Sequence, residues 1–465
     1  MIVIGGGLAG LSAATALADA GVRVQLLEKR PYLGGRATSY ALPDGSHIDN
    51  CQHVTLGCCT NLADFYRRVG AGSKIRHYKR LFFADKTGRV SSIYSSPLPP
   101  PFHMGISFLR FSALAYGDKK AIAAGMLRIA RAGGKPADSE SATMLEWLRR
   151  NGQTEPSIAR FWRAVLVSAL NEELDRTEAC YGIDVFWKAF LANRKGYVVG
   201  IPVVPLSELY SGCRQAIERQ RGEVRSRATV REIRFSGEAF QSLVLDDGAE
   251  MRADACIVCV PHDELLEILP EEMRERDVFK NLWRLRTSPI TGVHLWYDRK
   301  VLDKPFLTLL DHTVQWIFNK SLTNAQAENG AGEAGQYLQL VISASYDLVP
   351  RTRQEIIDLC LKEVKEVLPL AREAQLRKAT VVKEVHATFS PEVGSDAWRP
   401  SQEIGIRGLF LAGDWTRTGW PATMEGAVRS GYLAAEAVLR SAGGTRKFTV
   451  PDLPAEGLCR RWAKE

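Results

Sequence analysis

The feature that most constrains this chain lies in its first 28 residues. Met1–Ile4 is a short apolar run of the length of a buried parallel strand. Gly5, Gly7 and Gly10 follow at G-x-G-x-x-G spacing, and Leu11–Ala20, rich in alanine and leucine, predicts a helix. Val22–Leu27 predicts a second strand ending on Glu28, 18 residues beyond Gly10. Each part has a physical task. Gly5 permits the tight turn, Gly7 lets backbone amides approach a pyrophosphate, and Gly10 allows close helix–strand packing. The helix N-terminus carries partial positive charge for the phosphates. Glu28 can accept hydrogen bonds from a ribose hydroxyl pair. With all parts in register, a dinucleotide site is expected rather than a glycine-rich turn without a ligand.

The next stretch separates the possible dinucleotides. Lys29-Arg30-Pro31-Tyr32-Leu33-Gly34-Gly35-Arg36 sets a second glycine pair and an arginine just past the acid. This resembles the GG motif of the FAD-dependent amine oxidase and phytoene desaturase superfamily. The resemblance implies FAD, with Gly34 and Gly35 letting the chain pass close to the flavin and Arg36 facing the pyrophosphate. Lys29, beside Glu28, is counted with the cofactor-binding residues. Near the other end, Gly408–Asp414 reads as a strand closing on Gly413-Asp414. Asp414 resembles the family residue that binds the ribityl–pyrophosphate part of FAD. Gly419–Ala427 and Ser430-Gly431 resemble the last FAD segment, where a helix starting near Met424 would stabilise negative charge on the N1–C2 side of the flavin. Val230, within Ala228–Ile233, matches a strand whose backbone meets the adenine in that family. Some branches attach the flavin through a cysteine. No cysteine lies between Cys360 and Cys459, so non-covalent FAD is expected.

These matches are far apart, which predicts an α/β fold whose main domain is assembled from separated segments. The expected architecture is a Rossmann-like, GR2-type FAD-binding domain with a parallel sheet, accompanied by an α+β substrate domain and a helical cap. The FAD-binding domain is placed at 1–90, 198–280 and 400–445, the cap at 91–197, and the substrate-binding sheet at 281–399.

Substrate identity must come from the inserted segments. Residues 97–101 (PLPPP) break regular structure, and Ile106–Ala132 reads as largely helical. Between Phe102 and Ala137 six basic residues face one acid, Asp118. A basic amphipathic helix of this kind can rest on an anionic membrane, or form a cap with solvated lysines. Thr143–Arg150, Ile158–Leu170 and Tyr181–Leu191 continue as helices carrying seven aromatic residues. Such residues suit an ordinary core and also a large apolar ligand. Ile290–Tyr297, Thr308–Leu310, Val314–Asn319 and Tyr337–Ser343 predict strands, and Glu355–Leu368 an amphipathic helix.

Asp49-Asn50-Cys51-Gln52-His53 resembles the D-x-G-Q-H segment of the hydroxysqualene dehydroxylases, with cysteine in the glycine position. That resemblance implies reductive dehydroxylation of hydroxysqualene to squalene. A carotenoid-type desaturase is the alternative, and a flavin amine oxidase or a non-catalytic prenyl-lipid escort protein stands further off. His53 and Asp49 are the candidate catalytic residues, as proton donors to a leaving hydroxyl. Amine oxidases of the superfamily carry a lysine near flavin N5 on a substrate-sheet strand, and Ser288–Trp296 has none.

The remaining composition sets outer bounds. The 465 residues are 45% hydrophobic and 25% charged, ordinary globular values that exclude disordered and collagen-like chains. The net charge of +8 suggests an anionic neighbour but no nucleic acid. Nine scattered cysteines read as reduced thiols in a cytosolic protein. Cys256 and Cys259 fit a buried strand better than zinc, because no further ligand pair accompanies them, so no metal is expected. The apolar start lacks the positive n-region of a signal peptide. A cytoplasmic protein, peripheral on the inner face of the membrane, is therefore expected, with an isoprenoid lipid substrate and an external electron donor that the sequence does not identify.

Overall fold

The computed structural model describes residues 1–139, 141–323 and 335–463. One layer is a five-stranded parallel sheet in the order Glu223–Ser226, Gln25–Glu28, Ile2–Ile4, Cys256–Val258, Leu409–Leu411. Strands from the beginning, middle and end of the chain thus lie side by side. Ile2, Val3, Leu26, Cys256, Ile257, Val258 and Leu411 are all solvent-free, which explains why they read as continuous apolar runs. The first helix, Leu8–Asp19, begins directly after the glycine turn, three residues earlier than the sequence pattern placed it. It packs on the helix Met424–Ser441, where a Cβ on Gly431 would overlap the Ala9 carbonyl and Ser12 Oγ. Ser12 Oγ donates across this contact to the Val428 carbonyl.

A second, seven-stranded sheet runs Leu376–Phe389, Thr287–Tyr297, Gln336–Ser343, Trp316–Asn319, Phe306–Leu309, Arg80–Ala84, Val90–Tyr94. It is antiparallel except where Phe306–Leu309 meets Arg80–Ala84. The last two strands correct the expected boundaries. Residues 80–94 straddle position 90, yet they belong to this sheet, because Thr308 pairs with Phe83 and Leu309 with Ala84. The helix Arg353–Val367 covers one face through Ile356, Cys360 and Val364. The helical segment covers the other through Trp162, Leu166, Phe186 and their neighbours.

The helical segment departs locally from the sequence pattern. Ile106–Ala132 is two helices, Gly105–Leu109 and Tyr116–Arg131, separated where Phe111 turns into the core. The second helix restarts with Asp118 Oδ2 accepting the Ala115 N–H at 3.1 Å. Ile158–Leu170 and Tyr181–Leu191 each contain a π-wound stretch, Ile158–Arg163 and Phe186–Leu191. The two stretches meet through Phe161, Trp162 and Phe186, with the Trp162 and Phe186 rings 4.5 Å apart. Widening a helix by one residue per turn re-aims large side chains, and here it lets the rings of both helices interlock.

Candidate FAD site and adjoining cavity

One large cavity opens along the carboxyl ends of the parallel strands, where open α/β sheets place their ligands. Gly5 and Gly7 follow the strand Ile2–Ile4, Glu28 ends its neighbour, and Gly413-Asp414-Trp415 follow Leu409–Leu411; all line the cavity. Ala228–Val230 and Cys259–Pro261 supply further wall.

The glycines differ in their tasks. Gly5 holds φ +101°, a conformation that L side chains rarely adopt. A Cβ on Gly10 would overlap the Gly5 carbonyl oxygen, so Gly10 lies beneath the turn and outside the cavity. A Cβ on Gly7 would meet only the Gly35 Cα, 3.9 Å away, and would project into the space that a dinucleotide needs. Gly7 and Gly34 form a parallel bridge, which brings the second glycine pair against the first. Glu28 is buried and accepts the N–H groups of Gly6 and Arg30, both at 2.7 Å. Lys29 Nζ is 2.7 Å from Glu264 Oε1 at the cavity wall.

Arg36 spans the site. Its Nη1 donates to the Ala387 carbonyl at 2.6 Å and its Nη2 to Asp414 Oδ1 at 2.7 Å. Met424 begins the 18-residue helix, whose cap is Thr423 Oγ1 accepting the Gly426 N–H. Gly5, Gly7, Glu28, Lys29, Gly34, Gly35, Arg36, Val230, Gly413, Asp414 and Met424 therefore share one cavity. Strand-end amides, a cradle that a Cβ would fill, a cationic guanidinium and a helix N-terminus together fit a flavin dinucleotide. The cavity's cysteines, Cys51 and Cys259, are both buried, and burial pushes the Cys51 thiol up to about 12. Neither is primed as a thiolate for covalent attachment.

The segment 49–53 divides its residues. Gln52 and His53 line the cavity. His53 Nδ1 lies 2.9 Å from the Cys51 carbonyl, an acceptor only, so Nδ1 carries the hydrogen and Nε2 keeps its lone pair. Burial holds the His53 pKa below the usual histidine value. The ring is thus set to accept a proton at Nε2 rather than to deliver one. Asp49 does not reach the cavity. It is 4% exposed, with Oδ2 2.7 Å from Lys320 Nζ and Oδ1 accepting from Ser39 Oγ and the Leu206 N–H. The expectation of Asp49 as a proton donor is corrected by this burial: it is a structural anion that pins the segment. Lys320 also donates to Gln52 Oε1 at 2.9 Å.

Three further residues had no distinguishing signal in the sequence. Glu384 lines the cavity, and Asn50 Nδ2 donates to it at 2.9 Å. Lys320 is 2% exposed. Arg399, 1% exposed, gathers the carbonyls of Trp415, Thr416 and Trp420 around the loop that follows Asp414.

A sequence profile of the family described as flavin containing amine oxidoreductase matches residues 8–439. The chain belongs to that family. It is an FAD-dependent oxidoreductase. Among curated relatives, the chain is 29% identical over 482 aligned positions to a 15-cis-phytoene desaturase from an Oncidium hybrid, covering 98% of this chain and 80% of the relative. It is 28% identical to a zeta-carotene desaturase from Synechocystis, covering 94% and 96%. Among solved structures it is similar to an oxidoreductase from Methanosarcina mazei (TM-score 0.75, 18% identity, covering 94% of this chain and 99% of that one). It is also similar to cyclohexylamine oxidase from Brevibacterium oxydans (TM-score 0.66, 19% identity, covering 95% and 99%). These structural likenesses concern the fold.

Proposed function

We propose that this oxidoreductase exchanges a hydride with a long isoprenoid, and that it works in the direction of desaturation. The observation that carries this reading is the near full-length similarity to relatives named as phytoene and zeta-carotene desaturases. The geometry is compatible with it. Beyond the flavin-binding residues the cavity continues past Val54, Ala169, Ile290 and Val341, side chains suited to a hydrocarbon. When bound, FAD supplies the hydride acceptor.

Desaturation removes one hydrogen with its electron pair and the neighbouring one as a proton, and the carbon–carbon double bond forms between the two sites. His53 Nε2 is the cavity-lining group prepared to take that proton. Val54 and Ile290 line the same cavity with apolar side chains, which disfavour water there. Amine oxidation is not favoured, because the strand Thr287–Tyr297 brings no lysine to the cavity.

A second reading, reductive dehydroxylation of hydroxysqualene, rests on the Asp49–His53 segment. It requires a proton delivered to the departing oxygen, and a neutral His53 is the wrong partner for that step. Incubating the oxidised protein with phytoene, and separately the reduced protein with hydroxysqualene, distinguishes the directions. A product two hydrogens poorer in the first reaction supports desaturation; squalene in the second, with no change in the first, replaces it.

Attachment to an anionic membrane belongs to the same reading. Leu98, Phe102, Ile106, Leu109, Tyr116 and Leu458 are exposed, with Leu109 at 65% and Tyr116 at 79%. The Leu458 N–H donates to the Pro100 carbonyl and Arg194 Nη2 to the Leu98 carbonyl, so these stretches lie together. Arg110, Lys120, Arg194, Arg460 and Arg461 are exposed nearby in the chain. Apolar side chains rimmed by cations match a lipid interface with anionic headgroups. No helix among the described residues is long and apolar enough to cross a membrane.

A further inference from the structure

Residues 50–54 form the part of the cavity wall that carries His53, and they belong to no strand or helix. The strand before them ends at Asp49 and the next begins at Thr55. A stretch without a ladder keeps one conformation only where its polar groups are tied elsewhere. Asn50 Nδ2 is tied to the Arg36 carbonyl at 3.1 Å and to Glu384. The ties of Gln52 and His53 lead instead to Lys320, 268 positions beyond Gln52.

Lys320 follows the strand Trp316–Asn319 of the seven-stranded sheet. It is 2% exposed, with Nζ 2.7 Å from Asp49 Oδ2 and 2.9 Å from Gln52 Oε1. An ammonium only donates, so the Gln52 carboxamide must present its oxygen to Lys320 and turn its nitrogen away. Gln52 Nε2 then donates to the His53 carbonyl at 3.1 Å. The His53 ring in turn folds back through Nδ1 onto the Cys51 carbonyl at 2.9 Å. One chain of hydrogen bonds thus runs from the substrate sheet to the residue whose ring lines the cavity. The ion pair with Asp49 does not require the second bond to Gln52, because Asp49 also accepts from Ser39 and Leu206.

Resting on the reading of His53 as the base, we propose that Lys320 is a positioning residue: through Gln52 it fixes the His53 ring with Nε2 open to accept a proton. Lys320 does not itself line the cavity, so it acts only through its neighbours. Its charge matters less than its bond. Burial, Arg36 and Lys320 hold the His53 pKa down, while the Cys51 carbonyl and Asp49 act the other way. Asp49 and Lys320 oppose each other, so removing both takes away the anchor and changes the field at the ring little.

The test uses FAD-loaded protein labelled with nitrogen-15 in the histidine rings, the His53 signals being assigned by their loss in His53→Gln. The wild type is expected to show one tautomer at neutral pH, with hydrogen on Nδ1. Gln52→Leu leaves the buried ion pair whole, and Asp49→Asn with Lys320→Met removes it as a unit. Both proteins are expected to show a mixture of tautomers. In both, kcat with phytoene should fall roughly tenfold or more, with KM and FAD affinity unchanged. A single Nδ1–H tautomer and wild-type kcat in Gln52→Leu would overturn the proposal. Loss in Gln52→Leu but not in the double variant would assign the effect to Gln52 alone and overturn the role of Lys320. Wild-type turnover by His53→Gln would remove the base reading, while the ring signals of the other two variants would still show whether Lys320 orients His53.

Discussion

Arg36 and Asp414, 378 residues apart in sequence, form an ion pair with Nη2 2.7 Å from Oδ1. The pair closes the candidate FAD site: one residue follows the second glycine pair, and the other lies three residues past the last parallel strand. Arg36→Met would leave the 9% exposed Asp414 side chain without its cation. A charge-assisted hydrogen bond contributes about 1.5–3 kcal/mol. Arg36→Met and Asp414→Asn should each weaken FAD retention by roughly tenfold to a hundredfold, read by equilibrium dialysis of the purified variants.

The glycines of the first turn should separate by mechanism. Gly7→Val directs its side chain into the cofactor space, so the protein should fold yet lose its flavin. Gly10→Val overlaps the Gly5 carbonyl, so the fold itself should fail. Flavin absorbance and circular dichroism on both variants check this. A yellow Gly7→Val protein would refute the assignment of the cavity.

The buried pair Asp49–Lys320 should act on stability. Removing one member leaves a buried charge uncompensated, at a cost of about 3–5 kcal/mol. Asp49→Asn should therefore lower the unfolding free energy strongly, and Asp49→Asn with Lys320→Met should recover part of it. Lys320 and the hydrogen bonds from Ser39 and Leu206 outweigh burial and hold the Asp49 pKa below the usual carboxylate value. The contribution of Asp49 is thus present above about pH 3.9 and lost as pH falls through its lower folded value. Denaturant titrations across that acid range measure it.

Much of this was legible in the sequence, for identifiable reasons. The N-terminal turn, Arg36 and the Gly413-Asp414 pair are local signals, since each needs particular residue types at fixed spacing. The strands Thr287–Tyr297 and Gln336–Ser343 announced themselves by apolar runs. The sequence left Asp49 open between the chemistry and the fold, because an acid beside a cavity-lining histidine looks the same whether it faces ligand or core. Only the partner, Lys320, distant in sequence, decides. Arg399 was invisible because most of its partners are backbone carbonyls, which leave no trace in residue identity, and one side-chain partner, Tyr181, is distant in sequence. Residues 80–94 were misassigned because strand pairing across about 220 positions has no local signature.

The exposed patch around Leu109 and Tyr116 should hold the protein to anionic vesicles. Lys119→Glu with Lys120→Glu should weaken sedimentation with phosphatidylglycerol vesicles several-fold, at about 1 kcal/mol per cation near the surface. Leu109→Ser with Tyr116→Ser should weaken it even with neutral lipid. Unchanged sedimentation in both would leave the segment as a plain cap over the cavity.

His53 acts as a base in this account, with a pKa lowered by burial. Activity should hold through neutral pH and fall only on acidification below the ordinary histidine value of about 6.5. His53→Gln should reduce turnover by about 10²–10⁴-fold and remove that acidic limb, while FAD binding persists. A pH–rate profile of the two proteins reads both effects.

The most direct test is an anaerobic single turnover of the FAD-loaded protein with phytoene, following the flavin spectrum and the extracted lipid together. The account predicts that the oxidised flavin band bleaches as a product two mass units lighter appears. Bleaching by a simple amine, with phytoene returned intact, would contradict it.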